Sequence, residues 1–342
     1  MHEEINKPIF VVGSPRSGTS ILAWCLGHHP NIFPVPESNW MGDFAANVAV
    51  AHQVGSARDG LSILSAMDIR DDEFFAAFGQ SINKLVVGHR RHLEINRENT
   101  DGSSKLNPRW VEATRMAAGP KTRWVDGTPE YSLHICGLRK LFPQARFVHA
   151  FREVDAVVCS MVHFHRATGI HLVENEGDAY KYWLRTVRAC FKAEEAYGPN
   201  VIYRLRYSAL VENPESALRA LLDFLGEPYS AKCLEPLSER INSSNVPADF
   251  ASKDPATDPV IIEQAMSLSR DLQHSSQPPE GSPAATAEME TAFDERVHYM
   301  ATVDSQYRRA LQAMQKLERA AASESDILSN VPNSSGKSID ST

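Results

Sequence analysis

Residues 9–20 read Ile-Phe-Val-Val-Gly-Ser-Pro-Arg-Ser-Gly-Thr-Ser. The apolar β-formers Ile9 to Val12 run into a glycine-bounded loop. The apolar run Ile21 to Leu26 then follows as a helix over about 20–28, which His28-His29-Pro30 ends. The spacing Gly13 to Gly18 and the Thr19-Ser20 ending are those of a Walker A phosphate loop. In that loop a lysine reaches the terminal phosphates; here Thr19 holds its position and the cation sits three residues earlier, at Arg16. A guanidinium is a planar fork that grips two oxygens at once. The backbone N–H groups of Arg16, Ser17, Gly18, Thr19 and Ser20 are set to converge on an anion at the helix N-terminus. The displaced cation points away from ATP or GTP and toward a different phosphate-bearing donor.

Outward from this loop, strand and helix patterns alternate. Further strands are expected at Arg123–Asp126, Arg146–Phe151 and 200–205, with extended chain forced around Pro34 and Pro36. Helices are expected over 60–99, 108–118, 130–141, 154–168, 177–197 and 214–225; the last has Pro at its start and Gly226 just past its end. Strands alternating with helices make this an α/β protein, a P-loop-like three-layer αβα arrangement around a central parallel sheet. Residues 1–273 read as the domain carrying the loop and 274–286 as a Ser/Pro/Gly-rich linker. A helical C-terminal extension is expected at 287–321, with a disordered tail at 322–342.

The chain has 342 residues, with 42% hydrophobic and 23% charged residues, a globular composition. A formal charge of -8 argues against nucleic acid as a partner. No apolar run reaches membrane-span length, and the first strand begins too early for a cleaved leader. The five cysteines are scattered without a Cys-x-x-Cys pair, which suggests buried thiols in the cytoplasm and neither disulfides nor metal ligands. No metal is called for.

Ligands of doubly wound sheets collect at the carboxyl ends of the strands. Arg152 lies at such an end, and Ser160 sits about two turns into the next helix. Alone these are a surface arginine and a helix serine; behind a phosphate loop they suggest a second anion site. Tyr207, at another strand end, is either a stacking partner for a nucleotide or a packed aromatic.

Together these residues resemble the sulfotransferases that use 3′-phosphoadenosine-5′-phosphosulfate (PAPS). Gly13 to Ser20 is similar to that family's 5′-phosphosulfate loop in its Pro-Arg-Ser-Gly-Thr form, found in tyrosylprotein sulfotransferases and many bacterial members. Phe151-Arg152 with Ser160 resembles the 3′-phosphate element. Tyr207-Ser-Ala-Leu210, Pro214 and Phe224-Leu-Gly226 resemble a third family run, and the likeness spans residues 8 to about 230. The resemblance implies in-line sulfuryl transfer to a hydroxyl or amine, on a small-molecule, saccharide or lipid acceptor. It implies Glu37, after His29-Pro30, as catalytic base beside Arg16, with His163, His165 and His171 as fallbacks. Many relatives carry a lysine where this chain has Gly127; Arg16, Lys121 and Arg123 are the candidates to replace its charge.

Two other readings stand beside this one: a non-catalytic protein binding PAPS or its product 3′-phosphoadenosine-5′-phosphate (PAP), and a P-loop kinase or nucleotide hydrolase. Trp40, Phe44, Phe74, Phe75, Phe78 and Trp110 either line an acceptor pocket or fill a core. The 287–321 helix is a candidate for self-association, and so a homo-oligomer is among the expected partners.

Overall fold

The computed structural model describes residues 6–57, 59–97, 121–238, 254–275, 277 and 280–329. Five strands form its sheet: β1 (Ile9–Gly13), β2 (Ile32–Val35), β3 (Arg123–Asp126), β4 (Arg146–Phe151) and β5 (Ile202–Arg206). They pair in the order β2-β3-β1-β4-β5, every pair parallel. β1 is fully buried on both faces, which is why its sequence is a continuous apolar run.

The helices are α1 (Thr19–Gly27), α2 (Met41–Ser56), α3 (Ile63–Ala66), α4 (Asp71–Arg97), α5 (Ile135–Leu141), α6 (Val154–Val162), α7 (His165–Thr168) and α8 (Glu176–Tyr197). After β5 come α9 (Tyr207–Glu212), α10 (Pro214–Leu225), α11 (Pro259–His274) and α12 (Pro283–Ser329). Alternate β1 residues point to opposite layers. Ile9 and Val11 pack with Leu22 and Leu26 of α1 and Leu218, Leu221 and Leu222 of α10. Phe10 and Val12 pack with α2, α5 and Cys190 and Ala193 of α8. The chain is thus the α/β, three-layer αβα fold with a central parallel sheet and a helical C-terminal region.

The topology also selects a place for a ligand. From β1 the chain builds β2 and β3 on one side, then crosses to build β4 and β5 on the other. The loop after β1 therefore stands at the reversal, where doubly wound sheets open a crevice. Gly13 at this point has φ +145°, and a Cβ there would stand 2.5 Å from the Ala150 carbonyl oxygen of β4, so the close approach requires glycine.

Some elements differ from the sequence reading. Ile32–Val35, read only as extended chain, is an edge strand that carries Pro34, as edge positions allow. A 3-10 turn over Pro129–Leu133 precedes α5, and the 154–168 helix is broken between Val162 and His165. The 60–99 helix is split into the short α3 and the long α4, which begins at Asp71. The 108–118 helix lies outside the described residues. The final helix starts at Pro283, where the Ala285 N–H is capped by Ser282 Oγ at 3.4 Å. At the opposite sheet edge, the Gln277 side chain bonds both the N–H and the C=O of Arg204, which covers part of β5.

Beneath β4 and β5 lies a buried charge network. His149 Nδ1 stands 2.6 Å from Glu194 Oε1, and Arg204 pairs with the same carboxylate. Burial alone would raise the Glu194 carboxyl, but His149 and Arg204 outweigh it and hold it below its usual value.

Candidate active site

The loop and the strand ends meet in one cleft. Arg16 takes a left-handed backbone (φ 71°), a conformation that non-glycine residues adopt only when their surroundings enforce it. Three contacts do so here. Its Nε donates to Ser160 Oγ of α6 at 3.0 Å, and its guanidinium lies 4.6 Å over the Phe164 ring. Its carbonyl accepts from Arg152 Nη1 at 3.2 Å. Arg152 in turn stands 4.6 Å over the Tyr207 ring. Arg16, Arg152, Ser160 and Tyr207, separated by up to 191 positions in the chain, thus form one cluster.

The electrostatics of the cluster are those of an anion receptor. Burial and the neighbouring Arg152 charge lower the Arg16 pKa, and Glu37 and Tyr207 offset this in part. Two guanidiniums held side by side repel each other, and an anion between them relieves that cost. Gly18, with φ 100°, is the N-cap of α1, and no side chain caps the helix. The first-turn N–H groups, Thr19 and Ser20 included, therefore face the cleft. A Cβ on Gly18 would press into Tyr207 Cδ2 at 2.7 Å, so Tyr207 closes over the loop. Ser14 Oγ and Ser17 Oγ are buried with no hydrogen-bond partner, an unusual cost unless a ligand supplies one.

Glu37 follows β2 and reaches the same loop: Ser20 Oγ donates to its Oε1 at 2.8 Å. The residue is exposed to the cleft, yet the surrounding walls desolvate its carboxyl and raise its pKa. The Ser20 bond and Arg16 lower it, while Glu130 adds to the rise. Beneath it, Asp126 at the end of β3 organises the segment. Its Oδ1 accepts from Thr128 N (2.9 Å) and Thr128 Oγ1 (2.6 Å), and Ser38 Oγ donates to its Oδ2 at 3.4 Å. Burial pushes the Asp126 carboxyl up to about 6 despite these bonds. The Ser38 and Met41 N–H groups donate to Thr128 Oγ1 and Tyr131 OH. Neither Asp126 nor Phe164 stood out in the sequence. Asp126 was legible only as the last residue of a short strand, and Phe164 carries no signal of its own.

Two of the three fallback histidines bond backbone carbonyls through Nδ1. His163 Nδ1 is 2.8 Å from the Cys159 carbonyl, and His165 Nδ1 is 3.0 Å from the Val162 carbonyl. The His165 ring stacks on His171, with centroids 4.5 Å apart. Gly127 is closed in: a Cβ there would stand 2.9 Å from Ala23 Cβ and 3.4 Å from the Thr19 oxygen, so this backbone has no room for a lysine. Lys121 and Arg123 do not replace it. They sit at the other end of β3, where Lys121 donates to the Gly27 carbonyl and Arg123 pairs with Glu227 at 2.8 Å.

Of the aromatic set, Phe75 is core. Trp40, Phe44, Phe78 and Phe74 form an edge-to-face row with centroid spacings of 5.6, 5.8 and 5.0 Å. Trp110 lies outside the described residues. Among the described residues, no cluster of three or more His, Cys, Asp or Glu stands ready to hold a metal, all five cysteines are free and buried, and no helix is long and apolar enough to cross a membrane.

The chain has relatives by sequence. The chain is 31% identical over 251 residues to the omega-hydroxy-beta-dihydromenaquinone-9 sulfotransferase of Mycobacterium tuberculosis. That match covers 65% of this chain and 63% of the relative, so just under two thirds of the relative's length is represented. A putative protein-tyrosine sulfotransferase of Caenorhabditis briggsae is 21% identical over 246 residues, covering 68% of this chain and 70% of that one. Among solved structures, the sulfotransferase domain of a Synechococcus olefin synthase aligns over 86% of this chain and 96% of its own, at 18% identity and TM-score 0.42. The sulfotransferase STF9 of Mycobacterium avium aligns over 81% and 78%, at 18% identity and TM-score 0.41. The sequence model of the sulfotransferase family matches residues 8–231, from β1 through α10. The chain belongs to the sulfotransferase family.

Proposed function

We propose that the chain transfers a sulfuryl group from PAPS to an acceptor hydroxyl. The observation that carries this reading is the pairing of Arg16 and Arg152 beside Ser160, with Glu37 tied to the same loop through Ser20. The unpartnered Ser17 Oγ and the uncapped α1 N-terminus fit a phosphosulfate-bearing ligand. When bound, the donor supplies an activated sulfuryl group on a phosphate leaving group.

Each residue then has a defined task. Arg16, the Ser17 hydroxyl and the N–H groups of Gly18, Thr19 and Ser20 bind the 5′-phosphosulfate and stabilise charge that develops on its oxygens, the Ser17 N–H being donated to the Ser14 carbonyl at 3.1 Å. Arg152 and Ser160 bind the 3′-phosphate, and Tyr207 packs beside them. Glu37 takes the acceptor proton, and its raised pKa suits a base working nearer neutrality. Asp126 acts through Thr128 and Ser38 to hold the Glu37 segment. With Gly127 closed and Lys121 and Arg123 engaged elsewhere, Arg16 and Arg152 carry the charge that relatives share with a lysine. Two relatives named above are named for hydroxyl-bearing acceptors, one an omega-hydroxy-beta-dihydromenaquinone and one a protein tyrosine, which favours a hydroxyl over an amine.

Closure of the Gly127 position also supports a second reading, a protein that binds PAP or PAPS without turnover. Transfer of radiolabelled sulfate from PAPS across a panel of alcohols and phenols separates the two. Turnover is expected, and Arg16→Ala is expected to lower it by about a hundredfold or more. Full activity in Arg16→Ala would overturn the assignment, whereas tight PAP binding with no transfer to any acceptor would favour the second reading.

A further inference from the structure

The helix α12 divides into two halves that bury different amounts of the same apolar face. In the first half, Met289, Phe293, Val297 and Met300 pack into the core built on α2, α5 and α8. Phe293 meets Phe75 with ring centroids 6.4 Å apart, and Arg296 pairs with Asp43 at 2.7 Å. Beyond Met300 the face continues without a core beneath it. Val303, Tyr307, Leu311, Met314 and Leu317 are 45%, 65%, 40%, 56% and 70% exposed.

The spacing of the free half is that of a helix–helix seam. Met300, Val303, Tyr307, Ala310, Met314, Leu317 and Ala321 follow one another at alternating intervals of three and four, the a and d positions of a heptad. With Tyr299 and Leu311, the residues up to Leu317 fall within an arc of about 120°. Most helical stability in proteins comes from packing an amphipathic face, and here that face is exposed from Val303 to Leu317.

We propose that this seam pairs with the same seam of a second copy, as an antiparallel coiled coil. Three features select that occupant. Residues 294–304 carry three carboxylates and one arginine, whereas 308–319 carry four cations and one carboxylate. Parallel pairing would set the whole cationic 308–319 stretch beside its own copy, whereas antiparallel pairing carries Lys316 of each helix away from its copy and toward residues 298–304 of the partner, the stretch that holds Asp304. The register that overlaps the free halves fully sets Met300 against Leu317, Val303 against Met314 and the bulky Tyr307 against the small Ala310. These are volume-complementary layers, and they stop where α12 meets its own domain. Finally, six large exposed side chains at about 100 Å² each supply about 600 Å² per chain, above the lower limit of about 1,000 Å² in total for a specific interface.

The test uses the full chain. Size-exclusion chromatography with light scattering at about 50 µM should report twice the chain mass of 38.0 kDa. Met314→Glu, which buries a lone carboxylate in the seam, should raise the dimer dissociation constant by about a hundredfold or more. Because Met314 is exposed in the monomer, the variant should keep the circular dichroism and melting behaviour of the folded domain. A spin label at Glu318→Cys, with the five native thiols buried, should report an inter-label distance of about 25–30 Å. A distance under about 15 Å would mean parallel pairing and overturn the register. A monomeric wild-type chain would overturn the proposal. So would a monomer that sediments with anionic phosphatidylserine vesicles, because the face would then be a membrane-surface helix.

Discussion

Asp126→Asn tests whether the carboxylate under the cleft is held there at a cost to stability. Asp126 is fully buried and its carboxyl is pushed up to about 6 from an ordinary 3.8. The folded chain therefore binds this proton more tightly than the unfolded chain does. Its contribution favours folding below about pH 4 and is lost as the pH rises through about 6, with no further change above. The rise from 3.8 to about 6 corresponds to about 3 kcal/mol in full, about 2 kcal/mol of it developed between pH 4 and pH 7. Asparagine keeps an Oδ1 acceptor for the Thr128 N–H and hydroxyl, and exchanges only the long Ser38 contact, at a cost of about 0.5–1.5 kcal/mol. Asp126→Asn is therefore expected to be about 1–3 kcal/mol more stable than wild type at pH 7.5 and no more stable at pH 4.5. Urea denaturation of both chains at these two pH values reads the difference directly, because contributions from other groups cancel. An unchanged difference between the chains at the two pH values would refute the reasoning.

Glu37→Gln preserves the acceptor for Ser20 but cannot take a proton; turnover is expected to fall about a hundredfold or more while PAP affinity is kept. In wild type the acidic limb of the kcat profile should lie above the ordinary glutamate value, in keeping with the raised Glu37 pKa, and an unchanged kcat in the variant would remove Glu37 as base. Arg204→Met strands the buried Glu194 carboxylate beside His149 and is expected to cost about 3–5 kcal/mol in urea denaturation, most of it recovered by adding Glu194→Gln. No recovery in the double variant would mean that the loss comes from packing and not from the charge.

The sequence made the first turn of the site plain because its chemistry is local. Gly13, Gly18 and Arg16 sit within six positions, and an apolar strand fixes where they emerge. Arg152 and Ser160 were legible because a strand end and a helix spacing place them, whatever the rest of the fold does. What escaped was whatever depends on contacts between distant segments. Asp126 reads as the end of a short strand, yet its carboxylate organises Ser38 and Thr128, separated by 90 positions. Phe164 becomes a platform for Arg16 only because the helix after β4 breaks before His165. The roles of Lys121 and Arg123 were invisible for the same reason: the direction of β3 puts both at the end of the sheet away from the loop. Gly127 could be identified as a missing lysine, but not as a place where α1 packs too closely to admit one.

Calorimetric titration of the full chain with PAP and with ADP tests the two-anion clamp most directly. Arg152 and Ser160 as a 3′-phosphate station require PAP to bind at least about tenfold more tightly than ADP, about 1.4 kcal/mol for the added charged contacts. Arg152→Ala should abolish that preference. Equal affinity for PAP and ADP in the wild-type chain would contradict the clamp.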